Sequence, residues 1–254
     1  MTSLTIAISL VGTAAGLPER DVLVVVGAGI SYPWDTEFDI ANVEAAAATV
    51  EVGPLSVPLS EAVCPNPFPC VISLAQLSIP PNGSAQKRAT DGIGAFFVTT
   101  LYVVPTSGTR PPVARARIFD RTRPNRSGDL PVVRRTTIAA MNPSVLSFPG
   151  ATRSASARTN LVVAEVAGSA GIEFKVEVFS SNGRHLGEES FEIGPGGPFG
   201  NSLFLVDLLA RFHVTNLENG QVRVTKTGGA GLMWGILATL SDDGSVTVSP
   251  GINP

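Results

Sequence analysis

The chain has 254 residues, of which 44% are apolar and only 15% charged, with a formal net charge of −3. That length suffices for one large or two modest domains with cores of their own, and so much apolar content excludes a disordered chain. The negative balance argues against nucleic acid as a partner, since such binders carry a basic domain. The 26 Gly and 20 Pro, spread as punctuation, predict many short strands instead of long helices.

Residues 2–16, TSLTIAISLVGTAAG, are uncharged and largely apolar. They are too short and too polar to span a membrane, and the basic n-region of a complete secretory signal is missing. Three readings fit them: the tail of a signal that starts upstream, a first β-strand, or a strand donated to a neighbouring subunit. Residues 1–19 are therefore set apart as an apolar N-terminal segment. The next run, DVLVVVGAG at 21–29, ends a hydrophobic strand in G-x-G as a dinucleotide-binding turn does. Tyr32 stands at the third Gly position, however, and alternation resumes where a helix would have to open, so no pyrophosphate site follows.

Residues 31–52 state a pattern that residues 157–178 repeat. A Thr precedes an alternating strand, a small-residue turn follows, and a second alternating strand closes the unit. In the first copy Trp34, Thr36, Phe38 and Ile40 share one side of an extended chain, with Asp35, Glu37 and Asp39 on the solvent side. Leu161 and Val163 match Phe38 and Ile40 in the second copy, where Ile172, Phe174, Val176 and Val178 alternate with Glu173, Lys175 and Glu177. Thr36 and Thr159 are 123 residues apart, whereas Leu77 and Ile79 match Phe191 and Ile193 at a separation of 114. The first copy thus carries extra residues between these points, and the CPNPFPC loop accounts for them. Asp120 aligns with Asp242 in the later pieces, ARARIFDRT and ILATLSDDG. Such internal periodicity decides the architecture before local propensity does.

The two cysteines, Cys64 and Cys70, close that loop across three prolines. A structural disulfide between them is the expected state, which favours an oxidising compartment; two free thiols are the alternative. Charge is unevenly placed. Residues 110–135 hold eight Arg against Asp120 and Asp129, while residues 1–63 hold eight acids against Arg20 alone. Either this Arg stretch binds an anion, or Arg115 and Arg117 pair across strands with the acids of the Trp34 strand, at about 0.2–1 kcal/mol per pair. Tyr32 and Trp34 could offer a sugar ring an aromatic face, although core or edge packing is the commoner fate of such rings. The candidate ligand platform is accordingly Tyr32, Trp34, Arg115 and Arg117.

Only residues 202–212 read as a helix, with Leu205, Leu208, Leu209 and Phe212 at helical spacing. His185 and His213 have no triad-like neighbours, and SDDGS at 241–245 is read as a hairpin turn in preference to a calcium loop. The sequence names no catalytic residue, no metal ligand set and no cofactor.

The arrangement WDTEFDIAN, then a PPNG or GPGG turn, then ARIFDRT and SGDLPVV resembles the tandem immunoglobulin-like β-sandwich repeats of secreted bacterial surface proteins. The resemblance implies an all-β chain exported to the cell surface or medium, with no catalytic residues to carry over. The expected organisation is two immunoglobulin-like sandwiches, 20–133 and 134–254, the second with one short helix. The expected function is that of a non-catalytic extracellular structural or adhesion protein, a surface-filament subunit in its narrower form. Self-association through the N-terminal strand is the partner that form implies. A carbohydrate-binding module for a polysaccharide or cell-surface glycan is the alternative, and a glycan-active enzyme the third reading, because two carboxylates need only meet in space.

Overall fold

The computed structural model describes residues 22–29, 33–54, 75–89, 98–107, 112–167, 170–194 and 201–253. Its architecture is all-β and β-sandwich-like, with every ladder antiparallel. The first half contains β1 (Leu23–Gly29), β2 (Trp34–Ala41), β3 (Ala48–Pro54), β4 (Ala75–Ile79) and β5 (Ser84–Arg88). It continues with β6 (Val98–Pro105), β7 (Val113–Asp120), β8 (Arg123–Leu130) and β9 (Val132–Arg134). These make two sheets, ordered β4-β3-β6-β1-β9 and β5-β2-β7-β8.

A helix, α1 (Arg135–Met141), leads into the second half. There follow β10 (Val145–Arg153), β11 (Ala157–Glu165), β12 (Ile172–Phe179), β13 (His185–Ile193) and β14 (Ser202–Leu205). After α2 (Leu208–Arg211) come β15 (Leu217–Gly228), β16 (Met233–Ser241) and β17 (Val246–Pro250). Their sheets are β13-β12-β15-β10 and β14-β11-β16-β17. Read strand for strand, this is the order of the first half, and an isolated bridge from Ser147 to Ile252 takes the place of β9. The registers agree with the spacing of the sequence. Ala48 faces Ile79 and Val50 faces Leu77, just as Ile172 faces Ile193 and Phe174 faces Phe191. One alignment shifts by a residue: Trp34 faces Asp120 and Ala157 faces Ser241, so Ser241 and not Asp242 is the counterpart of Asp120.

Alternation builds the strands as expected. Phe38 and Ile40 are fully buried on β2, and Ile172, Phe174, Val176 and Val178 on β12. Each such side chain contributes about 1.5–3 kcal/mol by leaving water. The outer face of β2 departs from expectation at Asp35. This carboxylate lies opposite Phe119 and is buried, its Oδ1 accepting the Thr36 N–H at 2.8 Å. β1 is buried along its whole length. It packs against β2, β7 and β8 of its own half and against β11 and β16 of the second, which explains its unbroken apolar run. After Pro33 the chain continues as strand β2.

Among the described residues two helices occur where one was expected, and the expected one is shorter. Residues 202–205 pair with β11, Leu205 opposite Leu161, and only Leu208–Arg211 close a helical turn. Asp207 separates the two with φ at 45°, so the i, i+3, i+4 spacing of the leucines comes from a strand end, a tight turn and one helical turn. The unforeseen α1 buries only Ile138, too little for a periodic signal. Asn142 stops it, its N–H donating to the Ile138 carbonyl from a left-handed conformation. No helix among the described residues is long and apolar enough to cross a membrane.

The halves meet without sharing a ladder among the described residues. Strands β8 and β17, each at the edge of its sheet, lie against each other. The approach is close: a Cβ on Gly128 would sit 2.7 Å from the Val246 carbonyl oxygen. Gly27, at φ 80°, lets Ile236 of β16 pack onto β1, and a Cβ there would lie 2.4 Å from Ile236 Cδ1. The Thr100 and Ser202 hydroxyls add a hydrogen bond of 2.7 Å across the same boundary. The buried apolar side chains form one cluster that runs through both halves.

Candidate functional site

The residues singled out from sequence do not converge. Cys64, Cys70, Tyr32 and the segment 1–19 lie outside the described residues. Trp34 opens β2 and faces Asp120, while Arg117 faces Glu37 and Arg115 faces Asp39. Residues directly opposed in an antiparallel pair share a face and neighbours along a strand do not. Trp34 therefore points to one side of its sheet and the two arginines to the other.

The outer side is a cross-strand ion network. Arg117 Nη2 lies 3.2 Å from Glu37 Oε1, and Arg88 Nε lies 3.5 Å from Oε2 of the same carboxylate. Both guanidinium groups also stack on Phe119, at 5.7 and 5.4 Å from the ring centroid. Exposed pairs of this kind contribute about 0–1 kcal/mol. They hold the sheet surface together and leave Arg117 committed.

The inner side leads to the junction of the halves, where two depressions adjoin. One is apolar, about 160 Å³, with Trp34, Ile118, Phe204, Val206, Ile236 and Val246 in its wall. The other is polar and open, about 500 Å³, lined by Arg123, Arg126, Arg153, Arg158, Asp207 and Asp242. Arg158 and Leu240 belong to both walls, so the two form one groove with an apolar and a charged arm. Each half supplies two of the four arginines.

Those arginines are not equivalent. Arg153 is locked: its guanidinium donates to both Asp207 carboxylate oxygens, at 3.0 and 3.2 Å, and to the Val214 carbonyl at 2.6 Å. Arg126 donates to the Ser241 carbonyl at 3.3 Å and lies 3.9 Å from Asp120. Burial alone would raise the Asp120 pKa, but the Thr122 hydroxyl and the Thr122 and Arg123 N–H groups all donate to Oδ1, and with Arg126 they bring it below the ordinary value. Arg123 and Arg158 are exposed and make no ion pair among the described residues. The dense Arg stretch made 123 and 126 legible in the sequence. Arg153 and Arg158 went unnoticed because they flank the small polar turn SASA in the second copy, and only folding brings that turn beside the β7–β8 turn.

Other polar clusters resolve into structural roles. Glu177, His185 and Glu188 come close enough to share an ion. Lys175 Nζ already bridges the two carboxylates at 3.2 Å each, and those hydrogen bonds raise its own pKa. The 241–245 segment is a hairpin turn: Gly244 N–H donates to the Ser241 carbonyl and Ser245 N–H to Asp243 Oδ1. Glu165 is buried and accepts from the Ala167 and Leu232 N–H groups and from Asn201 Nδ2, pinning the loops beyond β11 and β15.

No protein-family model matches the chain, and no curated protein matches it. Similarity to solved structures is faint. One match is a glycosyl hydrolase family 2 member from Bacteroides cellulosilyticus, at 8% identity and a TM-score of 0.20, covering 92% of this chain and 27% of that one. Another is the CupB2 chaperone of Pseudomonas aeruginosa, at 10% identity and a TM-score of 0.17, covering 87% of this chain and 93% of that one. The chain spans about a quarter of the hydrolase it matches. Similarity this low carries no argument about fold or activity.

Proposed function

We propose that the chain is a non-catalytic extracellular structural or adhesion protein, built from two tandem β-sandwich domains at about 20–133 and 134–254. The observation that carries the proposal is the duplication itself, the same strand order in both halves with strands β8 and β17 lying against each other. Such an assembly resists bending between its units and presents them at a fixed angle, as a surface stalk or filament subunit requires. An immunoglobulin-like connectivity is part of the proposal, supported by the β4-β3-β6 and β2-β5 pairings. It differs from the constant-type order, in which the first two strands pair, because β1 pairs with β6 and β9.

Sedimentation velocity with negative-stain microscopy over a range of concentrations tests the filament form. Ordered oligomers support it, and a strict monomer at every concentration removes it. Recovery of the protein in surface or secreted fractions tests localisation.

The second reading is a carbohydrate-binding module, favoured by the position of the half-buried Trp34 in the wall of the junction groove. Arrayed glycans probed with the parent and Trp34→Ala separate the two readings, since a purely structural protein binds none of them.

A further inference from the structure

We infer that the junction groove binds a short acidic oligosaccharide, its carboxylate or sulfate held between Arg158 and Arg123 and a sugar ring laid toward Trp34. The inference rests on the carbohydrate-binding reading and adds to it a charge class, a clamp and a location that needs both halves. Charge arithmetic sets the ligand. Arg153 is neutralised by Asp207, and Arg126 is shared between Asp120 and the Asp243 charge, so within the groove wall Arg123 and Arg158 face Asp242. That surplus suits one acid group at a time. It does not suit a long polyanion, which the net charge of −3 would repel. A planar guanidinium matches a carboxylate or sulfate in a two-pronged way. The apolar arm begins where the Arg158 wall ends, so a ligand held by its acid group extends toward Trp34 and Phe204. Aliphatic C–H faces of a sugar pack well on such surfaces, whereas a free inorganic anion would leave this arm empty.

Calorimetric titration of the full chain with a trimer of galacturonic acid, its neutral galactose counterpart, sodium sulfate and a single-stranded oligonucleotide tests the inference. The acidic trimer is expected to bind, more weakly as salt rises, and Arg158→Gln or Arg123→Gln to lower its affinity by about tenfold. Both arginine side chains are exposed, so unchanged melting temperatures will show that these variants fold. If the neutral trimer binds as tightly and Arg158→Gln changes nothing, the anion clamp is overturned while the carbohydrate-binding reading stands. If no saccharide binds, both fall. Sulfate matching the acidic trimer, or the oligonucleotide outcompeting it, also overturns the inference.

Discussion

The Thr36 hydroxyl holds the backbone of Gly29 at both ends, accepting its N–H at 2.9 Å and donating to its carbonyl at 3.1 Å. Thr159 does the same to Thr152, at 2.9 and 2.7 Å, again seven residues back. The first and second strands of each half lie in different sheets, so no ladder joins them, and one buried hydroxyl ties sheet to sheet. Its single donor and two acceptor sites suit the task.

Replacing Thr36 by Val keeps the shape but strands a buried donor and acceptor of Gly29. The expected loss is about 1–3 kcal/mol in denaturant unfolding. Thr36→Ser retains the hydroxyl and should recover most of it. Thr159→Val is expected to destabilise more than Thr36→Val, because Thr159 also meets the Thr239 hydroxyl at 3.1 Å.

Gly27→Ala tests how firmly the halves are docked. The residue sits at φ 80°, and its new methyl would arrive 2.4 Å from Ile236 Cδ1, so strain and overpacking coincide. A destabilisation of about 2–4 kcal/mol is expected. Ile236→Val removes the colliding carbon and should return part of that loss in the double variant, giving a non-zero coupling energy. Additive effects would mean that β1 and β16 do not touch in solution.

The duplication was legible because period-two alternation and a buried Thr leave marks that survive divergence: Phe38 and Leu161, or Ile79 and Ile193, keep both spacing and face. The junction was not legible. Nothing in the sequence says that β8 and β17 will be set side by side, and so nothing connects Arg123 with Arg158, or Gly27 with Ile236. Asp35 was misplaced for a related reason. Strand alternation assigns it a face, but only the fold determines that Phe119, with two guanidinium groups stacked on its ring, covers that face locally. The leucines at 205, 208 and 209 misled because the left-handed turn at Asp207 depends on tertiary partners, the Asn160 side-chain oxygen and the Arg153 guanidinium.

Asp120 should make stability depend on acid. Its pKa is lowered in the folded protein, so its stabilisation is fully present above the ordinary carboxylate range and is lost as pH falls through the folded value. Asp120→Asn is therefore expected to lower stability at pH 7 and to do so less at pH 3, flattening the acid limb of the unfolding curve. Glu189, lowered mainly by hydrogen bonds from Arg211, shifts in the same direction, so the limb should flatten without vanishing. An Asp120→Asn curve parallel to that of the parent would mean the Thr122 and Arg123 hydrogen bonds do not persist in solution.

Tyr102 is the opposite case, a buried polar atom that contributes nothing visible. The side chain is 2% exposed on β6, and its hydroxyl has no hydrogen-bond partner among the described residues. Burial, with help from the Glu165 charge and against that of Arg135, pushes its pKa well above the phenol range. Removing an unsatisfied buried hydroxyl while keeping the ring should not destabilise, and the desolvation saved is worth about 1 kcal/mol. Tyr102→Phe is thus expected to melt at or above the temperature of the parent, whereas Tyr102→Ala, which empties a packed site, should lose about 3–5 kcal/mol. If Tyr102→Phe instead loses stability by as much as a buried hydrogen bond, the hydroxyl has a partner in solution, and an ordered water on the side of Glu165 is where to look for it.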